Sequence, residues 1–335
     1  MRIKNNVEFG VIIPVYNQKD LLREALLSLE IQSKKDFITI VVDDNSDEDI
    51  QELCQDFSER INIIYIRHKE NKGPGLARQT GLDFAYKNKI KYITFLDSDD
   101  LFLPMAVEKM YETITTNKVP IATSALLYAG GEYTSGRVMS TWVFGKVYDV
   151  KFLFKNHIYF PKELVFNEDV FFSAAVDFHY QKDKSLIKTP FYYKRENQDS
   201  LINTKPKKDC TVTEGTFLQA VCLIIDYADQ YNLKLENIDI INLLLLYNSY
   251  QILLLQEWEE LPYYEEKLKS IFKRKDVLKK MEDYSIWKFI PEYIKPYEFV
   301  TQDKVVSNTG EFMLVFKETF AEWLEKFGIK ITLEK

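Results

Sequence analysis

Several short stretches of this chain place chemically capable side chains directly after, or within reach of, apolar runs. The strongest is Asp97-Ser98-Asp99, followed by Asp100. Two carboxylates at i and i+2 face one cation when the chain leaves a strand in a turn. A hard divalent ion such as Mg²⁺ or Mn²⁺ takes carboxylate oxygens together with water and substrate phosphates. Such an ion stabilises the charge that grows on a departing diphosphate. Acidic turns also cap helices everywhere, so the surroundings must carry the metal reading. Asp43-Asp44 ends another apolar run. A carboxylate there can accept the imide N–H of a pyrimidine, or it can cap the following helix; Asp43 suits the cap and Asp44 the base. Tyr16, beside Asn17, offers a ring that stacks on a base or packs in a core. Arg78, in the loop that starts Asn71-Lys72-Gly73-Pro74-Gly75, suits a diphosphate or a surface salt bridge. In Phe166-Asn167-Glu168-Asp169-Val170-Phe171-Phe172, acids lie among aromatics. Desolvation raises a carboxyl pKa toward the range of a general base, while the same acids favour a helix start.

The elements that must hold these groups alternate. Val7–Val15, Ile38–Val42, Ile61–Ile66 and Tyr92–Leu96 are apolar, β-branched runs of the kind found in strands buried on both faces. Between them, Leu21 to Leu29 has helical spacing, Ser46 with Asp49 reads as a capping-box variant opening a helix through Phe57, and Gly75–Tyr86 is a third helix. This is an α/β pattern with a doubly wound, mostly parallel sheet and helices on both faces. Ligands on such sheets bind beyond the carboxyl ends of the strands, where all these polar clusters fall. Beyond residue 120 the expectation is a strand at Ile121–Tyr128, a turn at Gly130-Gly131, a mobile stretch at 136–148, a helix from Asp169 to Phe178 and an aromatic strand at Phe191-Tyr192-Tyr193. After Lys205 the pattern turns helical, with candidates at Leu218–Tyr231, Ile238–Glu260, Tyr264–Met281 and Gly310–Phe327.

Composition narrows the function. The 335 residues are 46% hydrophobic and 28% charged, enough for a large core. A net charge of −7 argues against a general nucleic-acid binder. Three scattered cysteines and three histidines build neither a disulfide framework nor a zinc site. No signal peptide is read at the start, and the longest uncharged run, Ile240–Gln256, contains Asn242, Asn248, Ser249 and Gln251. A bilayer span needs about 20 mostly apolar residues, so the expectation is a buried helix in a soluble, cytoplasmic protein.

Five pieces, in order and spacing, resemble glycosyltransferase family 2 with the GT-A fold. They are Val11 to Asn17, Val41 to Ser46, Asn71 to Arg78, Phe95 to Asp100 with Pro104, and Glu168-Asp169. Tyr193-Lys194-Arg195 followed by Ser200-Leu201 looks like the strand that closes such domains. The resemblance covers about residues 7 to 203. It implies an inverting transferase that moves a sugar from a nucleotide sugar, most simply a UDP-sugar, to an acceptor hydroxyl. It implies that Pro14, Tyr16, Asn17, Asp44, Asn71, Arg78, Asp97 and Ser98 hold the donor, that Asp99 binds Mg²⁺ or Mn²⁺, and that Asp169 is the base. Glu168 and Arg195 are candidates for donor or acceptor contacts. Gln79 departs from the asparagine commoner there.

The division expected is a catalytic domain at 1–204 and a helical module at 205–335, serving acceptor binding or homo-oligomer formation. Lys267, Lys269, Lys273, Arg274, Lys275, Lys279 and Lys280 form either a solvated helix face or a landing strip for an anionic acceptor. The acceptor expected is a cell-surface glycan, a polymer or another hydroxyl compound. The alternatives are transfer to modified DNA bases and a non-catalytic sugar-nucleotide-binding protein. A dinucleotide oxidoreductase would need a glycine-rich turn where Pro14-Val15-Tyr16-Asn17 stands.

Overall fold

The computed structural model describes residues 7–128, 142–180, 185–196, 210–234 and 261–275, with positions 259, 322, 324 and 325. The chain forms two compact units, Met1–Lys205 and Pro206–Lys335. In the first, the elements run β1 (Phe9–Val15), α1 (Lys19–Glu30), β2 (Ile38–Asp43), α2 (Ile50–Phe57), β3 (Ile63–Arg67), α3 (Pro74–Lys87) and β4 (Tyr92–Phe95). They continue as β5 (Leu101–Phe102), α4 (Ala106–Asn117), β6 (Ile121–Tyr128), β7 (Lys146–Asp149), α5 (Val150–Lys155), α6 (Glu168–His179) and β8 (Ser185–Lys194).

Every residue of β1 and β2 is buried, which is why both read as unbroken apolar runs instead of alternating ones. The sheet order is β3-β2-β1-β4-β7-β6-β8-β5. β1 pairs in parallel with β2 and β4, β2 with β3, and β6 with β8. The sheet is therefore mixed and mostly parallel, as the alternating pattern predicts. β7 runs antiparallel between β4 and β6, and β5 antiparallel to β8.

Two local expectations change. The helix after β2 opens at Asp49, whose carboxylate accepts the Glu52 N–H at 2.9 Å, so Ser46 is not its cap. Residues 142–148, read as sparsely patterned, are packed and lead into a strand. Trp142 stacks on Phe144, Phe144 stacks on Tyr192, and Lys146–Asp149 is an interior strand. The remainder of that stretch and the turn at Gly130-Gly131 lie outside the described residues.

In the second unit, α7 (Cys210–Gln230) and α8 (Leu261–Phe272) are the described helices. Lys267 pairs with Asp226, Arg274 with Asp229, and Lys269 with Glu266 one turn back. Three cations of the basic segment are thus already matched by acids. The candidates at 238–260 and 310–327 lie outside the described residues apart from isolated positions. No helix among the described residues is long and apolar enough to cross a membrane.

Candidate active site

The parallel strands deliver their polar ends to one edge of the sheet. β1 ends at Val15, and Tyr16 follows with 44% of its surface exposed, a ring available to a ligand. Pro14 is buried opposite Val42 and shapes the strand end from within. Asn17, at φ 51°, ties this end to the next. Its N–H donates to Ser46 Oγ at 3.0 Å, and its Oδ1 accepts the Asp47 N–H at 2.7 Å.

Asp43 and Asp44 separate as the sequence suggests, but neither caps α2. Asp43 is fully buried and accepts the Ser46 N–H at 2.8 Å, the Tyr65 hydroxyl at 2.6 Å and the Arg67 guanidinium at 2.6 Å. Asp44, 3% exposed, accepts the backbone N–H groups of Lys72 and Gly73 and lies 2.7 Å from His68 Nδ1. Asn71 Oδ1 accepts the same Gly73 N–H at 3.1 Å. Asp44 is thus the anchor of the Asn71–Gly73 loop as well as a candidate base reader. His68 is a site residue that sequence reasoning missed, because a single histidine carries no spacing signal.

Arg78 is buried, which sets aside the surface salt bridge. Its two terminal nitrogens bind Asp97 Oδ1 and Glu168 Oε1, each at 2.7 Å, while Nε has no hydrogen-bond partner among the described residues. Burial opposes the cation, and the charges of Asp97 and Glu168 outweigh it, so its pKa is raised. The packing is close enough that a Cβ on Gly75, in the first turn of α3, would lie 2.7 Å from Glu168 Cγ. Gly75 is therefore what lets the glutamate reach the arginine. Gln79 donates to Asp83 and accepts the Phe160 N–H at 2.9 Å. Phe160 stacks on Phe172 of α6 at 4.3 Å. α3 and α6 are tied by a charge pair and by an aromatic contact.

That aromatic floor, with Phe95 and Tyr148 edge-on or tilted to Phe172 and to each other, sets the height of α6 and of the acids in its first turn. Burial raises the Glu168 pKa against the pull of Arg78. Burial and the neighbouring Glu168 charge push Asp169 up to about 7. A carboxyl in that range exchanges a proton near neutral pH, as a general base requires.

After β4 the chain turns through Asp97, Ser98 and Asp99. Ser98 Oγ donates to Gln18 Oε1 at 2.5 Å, linking this turn to the end of β1. Oxygen atoms of Asp97, Asp99 and Asp100 lie within 4.8 Å of one another. Asp100 is fully buried and committed elsewhere: it accepts the Tyr192 hydroxyl at 2.7 Å, the Lys194 ammonium at 3.3 Å and the Arg195 N–H at 2.9 Å. Burial raises its pKa to about 6. Arg195 also donates to the Asp99 carbonyl and pairs with Glu24 of α1. The Asp100–Tyr192–Lys194–Arg195 clamp is not legible in the sequence, although Asp100, Lys194 and Arg195 lie in the motifs that carry the resemblance and Tyr192 in the aromatic strand beside them. An all-oxygen set of Asp97 and Asp99 on a clamped turn fits Mg²⁺ or Mn²⁺.

A glycosyltransferase of Rickettsia conorii is 44% identical over 108 residues, 32% of this chain and only 17% of that relative's length. The minor teichoic acid biosynthesis protein GgaA of Bacillus subtilis is 27% identical over 317 residues, 86% of this chain and 68% of its own. The crystal structure of S. aureus TarS 1–349 superposes with a TM-score of 0.62 at 19% identity, covering 94% of this chain and 92% of that one. It shares the fold, and TarS has also been crystallised with UDP-GlcNAc. Residues 10–175 match the profile described as Glycosyl transferase family 2, which spans every strand end described above up to Glu168 and Asp169, and the chain belongs to that family.

Proposed function

We propose that this protein transfers a sugar, with inversion, from a UDP-sugar to an acceptor hydroxyl in a reaction that depends on a divalent cation. The observation that carries the reading is Asp169. It is a carboxyl with a pKa raised to about 7, one residue from the glutamate that Arg78 ties to Asp97. In this mechanism Asp169 takes the proton of the acceptor hydroxyl, whose oxygen attacks the anomeric carbon from the face opposite the diphosphate. Tyr16 stacks on the base, Asp44 accepts the base imide, and Asn17, Asn71 and Ser98 line the donor. Arg78 and Glu168 hold the two acidic centres in register, and Arg195 fixes the backbone of Asp99. A divalent ion held by Asp97 and Asp99 supplies charge stabilisation for the leaving diphosphate.

TarS with UDP-GlcNAc supports the choice of donor, and the name of GgaA supports an acceptor of the teichoic acid class. Residues 1–204 would carry the donor site and the chemistry. Residues 205–335 would serve the acceptor or self-association, and the work would be done in the cytoplasm. The test is release of nucleoside diphosphate from UDP-, GDP- and TDP-sugars, with and without chelator, by wild type and Asp99→Ala. UDP release that chelation and the substitution both abolish supports the reading. Full turnover in chelator refutes the metal role, and turnover of GDP-sugars alone refutes the donor.

A further inference from the structure

We propose that His68 is the positioning residue of the base pocket, holding the Asp44 carboxylate in the orientation that reads the nucleotide base. The inference rests on the UDP reading above and deepens it. His68 follows β3, and its side chain is 9% exposed. Nδ1 lies 2.7 Å from Asp44 Oδ1, and Nε2 lies 2.8 Å from Thr80 Oγ1 on α3. The ring therefore spans from the end of β2 to the second turn of α3. On its other side Asp44 is held by backbone alone: Gly73 N–H reaches Oδ2 at 2.7 Å, and Lys72 N–H is shared between the oxygens at 2.9 and 3.0 Å.

A carboxylate offers about four acceptor directions. His68, Lys72 and Gly73 supply three donors, and because the Lys72 N–H is shared between the two oxygens, a pyrimidine imide N–H would take over one arm of that shared bond. Because Asp44 already accepts two amides, it is the acceptor toward His68, and Nδ1 carries the proton. The loop amides fix the height of the carboxylate. A rigid ring braced on Thr80 fixes its rotation, and rotation decides whether the lone pair that Lys72 only shares meets the base. A lysine or a water there would leave that torsion soft.

The two isosteric substitutions separate the contacts. Asn places an amide nitrogen where Nδ1 stands and so keeps the Asp44 bond, whereas Gln reaches the Nε2 position and keeps the Thr80 bond. The full chain is titrated with UDP, CDP and GDP by calorimetry, and UDP-sugar turnover is measured for wild type, His68→Asn, His68→Gln and His68→Ala. We expect Ala and Gln to raise the UDP Kd about 10- to 100-fold, the worth of one charge-assisted hydrogen bond. They should also narrow the preference for UDP over CDP and raise donor KM far more than they lower kcat. His68→Asn keeps the Asp44 bond without the Thr80 brace and should lie between wild type and Ala. Should His68→Ala destabilise the fold too far for assay, the Asn and Gln pair still decides. UDP affinity in the Ala or Gln variant equal to wild type overturns the inference, as does an Asn variant as weak as Gln. A wild type that binds GDP and no UDP overturns the donor reading, and this inference with it.

Discussion

Replacing Arg78 by Met removes the cation between two acids and keeps most of the side-chain volume. The two acids differ in what remains to them. Asp97 keeps 20% of its side-chain surface exposed and can recover hydration, while Glu168 keeps 8% under the first turn of α3. Glu168 is therefore the stranded charge. Breaking a buried pair from one side costs about 3–5 kcal/mol, mostly the penalty of the charge left behind. If so, Glu168→Gln in the Arg78→Met background should restore about 1–3 kcal/mol, although the same change in wild type destabilises. The cost should also fall with pH. Burial has already raised the Glu168 pKa, and loss of Arg78 raises it further, so acid neutralises the stranded group. The assay is urea unfolding of wild type, both single variants and the double variant at pH 8 and pH 5. Arg78→Lys keeps the charge without the two-pronged geometry and should lie between Met and wild type. A cost below about 1 kcal/mol at pH 8, or no recovery in the double variant, would show that this ion triad is not what joins α3 to α6.

Asp169→Asn should bind UDP as wild type does and transfer sugar about 10²–10⁴ times more slowly, as single-turnover kinetics will read. The same variant should be the more stable protein at pH 8. The folded Asp169 carboxyl titrates at about 7 against an ordinary 3.8, so the stability tied to its proton is complete below that lower value and is lost as pH rises through 7. A stability difference independent of pH between 4 and 8 would contradict this. Gly75→Ala puts a methyl 2.7 Å from Glu168 Cγ and 3.0 Å from its Cβ. With Glu168 pinned by Arg78, the crowding should cost about 1–3 kcal/mol and slow turnover; thermal unfolding and activity unchanged from wild type would show the glutamate free to move aside.

The sequence was most readable where one strand satisfies its own neighbours. β1, β2 and β4 are continuous apolar runs because both faces are covered, and their polar ends marked the site edge directly. β7 was missed for the opposite reason. Its segment Lys146-Val147-Tyr148-Asp149 holds charged residues and follows Gly145, so nothing local distinguishes it from a loop; pairing with β4 and β6 makes it a strand. The Arg78–Glu168 pair is not legible locally, because its partners stand 90 residues apart, a distance no local pattern spans. Ser46 was credited with a cap on motif spacing, yet its hydroxyl is used to hold Asn17 and its N–H to reach Asp43.

What these misses share is a division of labour between buried and exposed charge. His68 with Asp44 joins β2 and α3, Arg78 joins α3 to β4 and α6, Asp100 joins the acidic turn to β8, and Arg195 joins that turn to α1. Replacing any of these networks whole by apolar residues of similar volume would often be neutral or stabilising, although removing one partner alone would not. No such replacement would hold a carboxylate at a fixed angle. Electrostatic catalysis depends on donors and acceptors that do not reorganise as charge develops, and loops at strand ends are the parts of a sheet protein least able to supply that. The buried network converts four loops into one rigid edge. In the proposed reaction, Asp44, Asp99 and Asp169 would then be presented to a ligand by partners that themselves need not touch it.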